Sequence, residues 1–166
     1  AGVASWAAAG LFSSYAIIAD QKASRTTSGT ATGGSVWRTR DLNTEVADPD
    51  GIVSIASNRF TLAAGSYFIT WDSPFYMTDY ARTRLYDYTN TAGVGVGGSG
   101  FTTSTSDRAE QTYWTGGSAR VTPSGSTVYE IQYECQTTRA GNGLGNEDAA
   151  GADVEQFTIV EIFKEA

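Results

Sequence analysis

Apolar and polar side chains alternate at a two-residue period through much of this chain, which is the signature of strands with one face buried. Residues 127–138 show it most clearly. Tyr129, Ile131, Tyr133 and Cys135 fall on one face, with Glu130, Gln132, Glu134 and Gln136 on the other. That spacing predicts an antiparallel strand with a wet outer face. Over residues 67–77, Tyr67, Ile69, Trp71, Phe75 and Met77 share a face. The even positions of residues 80–89 read Tyr80, Arg82, Arg84, Tyr86 and Tyr88, a polar-aromatic face. Short strands are expected at 52–55 and 59–62, and an extended segment with Trp37 and Leu42 at 35–44. A further strand is expected at 108–121, interrupted at Gly116-Gly117. Asp48-Pro49-Asp50-Gly51, Ala64-Gly65 and 123–126 read as turns, where proline presets φ and glycine permits φ > 0. No window sustains a 3.6-residue period, so no helix longer than a turn or two is expected.

The first and last strands depart from simple alternation. In residues 15–21, Tyr15 and Ile17 lie opposite Ala16 and Ile18. In 154–164, Phe157, Ile159 and Phe163 lie opposite Val160 and Ile162. Two apolar faces cannot both sit on the one core of a two-layer sandwich with a wet exterior. Self-association resolves the conflict: one face packs the core and the other a neighbouring subunit. A loop or the N-terminal segment covering the second face is the alternative. The candidates for inter-subunit packing are Tyr15, Ile17 or Ile18 and Val160, Ile162 or Phe163, and parity leaves open which face is which. Residues 1–14 are apolar and uncharged, too short and without the basic start of a signal peptide. They are expected to form an arm that lies on a partner through Trp6, Leu11 and Phe12, with a frayed terminus as the alternative. Residues 15–166 form the single domain.

Composition narrows the class. The chain has 166 residues, of which 22 Thr, 16 Ser and 19 Gly fill a third, with 12% aromatics. Thr and aromatics suit pleated strands and Gly and Ser supply turns, so the class is all-β. With no histidine and one cysteine, histidine-dependent nucleophilic catalysis, an imidazole metal site, a thiolate zinc cage and an internal disulfide are all excluded. A net charge of −7 disfavours nucleic acid, whose binding relies on cations meeting phosphates. No apolar run approaches the ~20 residues of a membrane-spanning helix. No Asn-x-Ser/Thr acceptor occurs.

Several motifs resolve to structure rather than chemistry. Residues 93–98, GVGVGG, match the dinucleotide-binding glycine pattern, but no helix can start in the Ser/Thr run that follows, so a glycine-rich strand or loop is expected. Asp48-Pro49-Asp50-Gly51 cannot be an EF-hand, because aligning its glycine puts Ser57 where an acid is required. A turn is the reading there, with a looser calcium site at Asp48, Asp50 or Glu147-Asp148 as the alternative. The carboxylates are scattered, and no pair stands out for glycoside hydrolysis. Cys135 follows its strand's inward set and reads as a small buried thiol.

The runs YAIIADQK, WRTRDLNTEV, DPDGIV, FTLAAGSYFI, ARTRLYDYT, YEIQYECQTT and VEIFKE, in this order from Tyr15 to Glu165, resemble a module of bacteriophage virion proteins. That module is similar to the trimeric jelly roll of tumour necrosis factor and the complement globular head. The resemblance implies an all-β, antiparallel two-sheet jelly-roll sandwich of about eight to ten strands, with the first and last strands near a threefold axis. It implies a non-enzymatic virion protein at the particle surface, assembled in the host cytoplasm: a capsid decoration (cement) protein, a head fibre or a tail-fibre tip. The expected partners are further copies of the chain and the major capsid protein or another virion protein. Nucleic acid and membrane are not expected, and no cofactor, metal or catalytic residue comes with the resemblance. Decoration is favoured, because the chain carries no heptads, collagen-like repeat or long linker that would make a shaft. The alternative is a receptor- or carbohydrate-binding knob using Tyr76, Tyr80, Arg82, Arg84 and Tyr86.

Overall fold

Backbone pairing in the computed structural model, which describes residues 10–105 and 111–166, gathers eleven strands into two antiparallel sheets. In chain order they are β1 (Phe12–Lys22), β2 (Arg38–Thr39), β3 (Thr44–Ala47), β4 (Val53–Ala56), β5 (Arg59–Leu62) and β6 (Tyr67–Tyr76). There follow β7 (Asp79–Asp87), β8 (Ala92–Thr102), β9 (Thr112–Val121), β10 (Thr127–Cys135) and β11 (Glu155–Glu165). The first sheet has the order β3-β1-β11-β6-β9 and the second β4-β5-β10-β7-β8, with β2 pairing β10. Among the described residues there is no helix. The jelly-roll sandwich expected from the sequence is the fold. Its strand count exceeds expectation because β3, whose TEVA sequence gives no usable alternation, pairs on the free edge of β1.

Inward-facing rows of both sheets make the core. Ala16, Ile18, Val160, Ile162, Ile69 and Trp71 from the first sheet meet Phe60, Leu62, Leu85 and Ile131 from the second. Trp71 is 1% exposed, and its indole N–H donates to Thr83 Oγ1 at 3.0 Å, so its one polar atom is satisfied. The glycine-rich run is strand β8, and its glycines have a packing reason. An added methyl carbon at Gly97 would stand 2.6 Å from the Gly116 carbonyl oxygen, and one at Gly117 would stand 2.9 Å from Gly97 Cα. The two sheets touch backbone to backbone there. β9 accordingly runs unbroken through Gly116-Gly117, where an interruption was expected.

A smaller core of Ala31, Phe75, Ala81, Tyr133, Cys135 and Leu144 sits beyond the first. Arg40, 1% exposed, holds it together. Its guanidinium donates to Thr158 Oγ1 at 2.9 Å, Pro74 O at 3.2 Å and Leu144 O at 2.9 Å, and lies 5.1 Å from the Phe75 ring centroid. One cation thus joins β6, β11 and the loop after β10. Burial pulls it down to about 10, opposed by the charge of Asp20.

The Asp48 turn forms as expected. The Asp48 carboxylate accepts from the Ile52 and Val53 amides at 2.9 and 3.0 Å. Asp50 accepts from the Ser14 hydroxyl at 2.6 Å. At the far end of the sheet Phe12 stands opposite Glu165, and the Ala166 amide donates to Leu11 O at 3.4 Å. β11 therefore lies between β1 and β6, in the middle of its sheet.

Candidate functional site

Two outer faces carry the candidate residues, and their chemistry is opposite. On the first sheet, register sets Tyr15 beside Phe163, and Phe163 beside Phe68. One row on, Ile17 stands opposite Glu161. Phe12 leans on Phe163 with ring centroids 5.1 Å apart. Tyr15 is 45% and Phe12 38% exposed, while Ile17, Phe68, Ile159 and Phe163 are half-buried. Phe12, Tyr15, Phe163 and Phe68 form an aromatic cluster across β1, β11 and β6, and the next row, Ile17–Glu161–Thr70, sets a carboxylate between Phe163 and Ile159. Within that row Thr70 donates to Glu161 at 2.9 Å, and Arg120 bridges to Glu165 at 2.5 Å beside the aromatic cluster.

The parity question left open by the sequence is answered here. Ile18, Val160 and Ile162, among the residues considered for inter-subunit packing, are 0% exposed in the chain's own core. They are corrected to core residues, which leaves Tyr15, Ile17 and Phe163 on the outer side. Phe157 shares the parity of Ile159 and Phe163, yet it is 2% exposed. The loop after β10 lies against it, close enough that an added methyl carbon at Gly145 would come 2.8 Å from the Phe157 ring. A loop therefore covers one end of the second apolar face and leaves the other open. Of the arm residues, Trp6 lies outside the described residues. Leu11 is 78% exposed, and Phe12 is the first residue of β1. Phe12, Ser13 and Ser14 thus belong to the sheet rather than to a separate arm.

The second sheet's outer face is built of arginines stacked on rings and tied to the neighbouring strand. Register sets Arg82 opposite Glu134 and Arg84 opposite Gln132. Arg82 Nε donates to Glu134 Oε1 at 2.6 Å and Arg84 Nε to Gln132 Oε1 at 2.7 Å. Trp37, carried in just before β2, packs over both guanidiniums, 4.2 Å from Arg84 and 5.4 Å from Arg82. Tyr86 faces Arg84 at 4.8 Å, and Arg59 stands 3.7 Å from the Tyr88 ring while bonding Glu130 at 2.7 Å. Burial pulls Arg84 below its usual value. The wet face expected for β10 holds at Gln136 and in part at Glu134, and is corrected at Glu130 and Gln132. Glu130 is 2% and Gln132 9% exposed, because Arg59, Thr39 and the Trp37 segment cover them.

Tyr80, Arg82, Arg84 and Tyr86 share this face as expected. Tyr76 does not. It lies on β6 of the other sheet, 4% exposed, with the Arg139 guanidinium 5.2 Å from its ring. Two residues the sequence did not place on this face join it: Trp37, and Phe101 of β8, which is 55% exposed with its ring 4.9 Å from that of Tyr80. Their chain separation from β7 hid them, since cross-strand neighbours are invisible until register is known.

Asp79 opens β7 with a left-handed φ of 57°. Burial raises its carboxyl, but bonds from Thr137 and Ser104 outweigh that and hold it below the usual value. Cys135 is buried, and burial pushes its thiol up to about 11. Among the described residues no group of three or more acidic or sulfur side chains converges as metal ligands.

No family model and no curated sequence matches the chain. Solved structures do match. Murine APRIL at pH 8.0 aligns with a TM-score of 0.53 at 8% identity, covering 91% of this chain and 98% of that one. The globular domain of zebrafish complement 1qA protein aligns with a TM-score of 0.50 at 12% identity, covering 90% and 95%. Murine APRIL at pH 5.0 gives 0.53 at 7% identity, covering 90% and 98%. At these identities the likeness is one of fold, and that fold is the tumour necrosis factor/complement globular head jelly roll.

Proposed function

We propose that this chain is a non-enzymatic structural protein that works as a homotrimer and decorates the surface of a bacteriophage particle. The observation that carries the reading is the open aromatic cluster of Phe12, Tyr15, Phe68 and Phe163, with Ile17 and Ile159 on the same outer face beyond it. A contiguous patch of this kind is uncommon on a monomer and marks an association surface. Its position on the first and last strands suits packing of like subunits about a common axis, which the jelly-roll likeness supports. Three copies would hide each other's patches and leave the second sheet facing outward. The resemblance of the sequence runs to virion modules supports the particle as the place of action. Clamping neighbouring capsomers by binding energy alone is the mechanism, with the apolar N-terminal segment around Trp6 and Leu11 as the grip on the major capsid protein.

Sedimentation velocity at micromolar concentration tests the assembly. A species of three times the 17.6 kDa chain mass is expected. Ile17→Asp combined with Phe163→Asp should give a folded single subunit, and a wild-type protein that sediments as one subunit overturns the trimer. Removing residues 1–11 should leave the trimer intact and abolish binding to particles stripped of the protein. Normal occupancy by the truncated chain removes the grip from the proposal.

A further inference from the structure

A depression of about 400 Å³ opens on the outer face of the second sheet, lined by Ser35, Tyr80, Arg82, Ser99, Glu134 and Gln136. Small-molecule sites occupy roughly 300–1,000 Å³, so the space suits one or two rings. One wall is the Tyr80 ring, backed by Phe101. Tyr80 is 65% exposed and Phe101 55%. Their tilted contact at 4.9 Å steadies each ring against the other. The opposite wall is a fixed polar set. Arg82 is oriented by Glu134 at 2.6 Å and by the Trp37 ring. No described residue accepts from its two terminal nitrogens or donates to the second Glu134 oxygen. The Gln136 amide and the Ser35 and Ser99 hydroxyls are likewise without a side-chain hydrogen bond to a described residue. Donors and acceptors thus converge on one cleft beside an aromatic platform.

We propose that this cleft binds a neutral saccharide. A pyranose has one apolar C–H face, which suits the Tyr80 ring, and a rim of hydroxyls that each donate and accept. The Arg82–Glu134 pair and the Gln136 amide are planar groups that meet adjacent hydroxyls two at a time. Phosphate and carboxylate ligands fit poorly, because the Glu134 carboxylate stands beside Arg82, the one arginine among the described residues of the cleft. The sugar site lies on the sheet opposite the apolar patch, so it does not depend on self-association.

Saturation-transfer NMR with the full chain and a panel of glucose, galactose, mannose and N-acetylglucosamine is the test. Saturable binding with a dissociation constant of about 1–10 mM is expected for at least one of them. Tyr80→Ala and Arg82→Ala should each weaken it by about tenfold or more, ~1.4 kcal/mol. Tyr80→Phe should retain it, and Arg120→Ala on the other sheet should leave it unchanged. Tyr80 and Arg82 are exposed, and a melting temperature kept within a few degrees shows that each variant is folded. Absence of saturable binding up to about 50 mM sugar overturns the proposal, as does binding that survives Tyr80→Ala. The Ile17→Asp/Phe163→Asp subunit should still bind, which separates failure of the sugar site from failure of the trimer.

Discussion

Gly97 and Gly98 are neighbours on one strand, yet substituting alanine at each should have opposite results. Neither has a positive φ, so the difference is one of space alone. At Gly97 the added carbon would meet the Gly116 carbonyl oxygen at 2.6 Å, its carbon at 2.9 Å and Thr83 Oγ1 at 3.0 Å. All three are held: Gly116 by pairing to Asp72 on β6, and Thr83 by the indole of Trp71. Relief requires the two sheets to part locally, and overpacking of this kind costs about 1–3 kcal/mol. At Gly98 the nearest atom is the same carbonyl oxygen at 3.9 Å, an ordinary contact. Alanine there restricts the unfolded chain, so Gly98→Ala should be neutral or stabilising by up to ~1 kcal/mol. With ~2–4 °C per kcal/mol for a domain of this size, the two variants should melt several degrees apart. Urea unfolding followed by circular dichroism supplies the free energies. Equal stabilities for the two, within ~0.5 kcal/mol, would refute the backbone-to-backbone closure of the sandwich.

Other outcomes follow from single residues. Arg40→Ala strips the Pro74 and Leu144 carbonyls of their guanidinium donor in a buried site, at about 1–3 kcal/mol each. Urea denaturation should show a loss above ~3 kcal/mol, and a loss below ~1 kcal/mol contradicts the anchoring role. The Cys135 thiol, buried and raised to about 11, should be inert to a disulfide reagent at neutral pH until denaturant is added. Fast labelling of the native protein contradicts its burial. Asp79 has a folded value below its usual 3.8, so the unfolded chain takes up the proton first. Its contribution is full above pH 3.8 and is lost as the pH falls through the folded value. Asp79→Asn should therefore be less stable than wild type at neutral pH, with the gap closing in acid; a gap that is constant with pH counts against the bonds from Thr137 and Ser104.

How legible each part was follows from what a period-two pattern can encode. β6 and β10 were plain because their inner positions are mostly large and apolar, with Ser73 the one small polar residue in the inner row of β6. The conflict in β1 and β11 was equally plain, and it pointed to the face that the structure leaves open at Tyr15, Ile17 and Phe163. Which parity was inner could not be read, because Ile17 and Ile18 are identical side chains and only register separates them. Arg40 was invisible. It sits in the polar run WRTRDLN, and its burial depends on a loop a hundred residues later in the chain. Glu130 and Gln132 looked wet for the same reason, since what covers them arrives from β2, β5 and the Trp37 segment. Tyr76 was misplaced because it was grouped with β7 by its neighbourhood in the chain, whereas the turn at Met77 and Thr78 carries the strands into different sheets.

The seat of β11 bears on how the molecule is made. The last eleven-residue strand fills a central slot between β1 and β6, so a nascent chain still missing it has a gap in the middle of the sheet and two raw edges. Pairing its ends brings together segments ~150 residues apart, the kind of contact that slows closure. The sheet therefore cannot shut until residues 155–165 have been made. A chain that stops short of this strand is not a slightly shorter product but a sticky, open one.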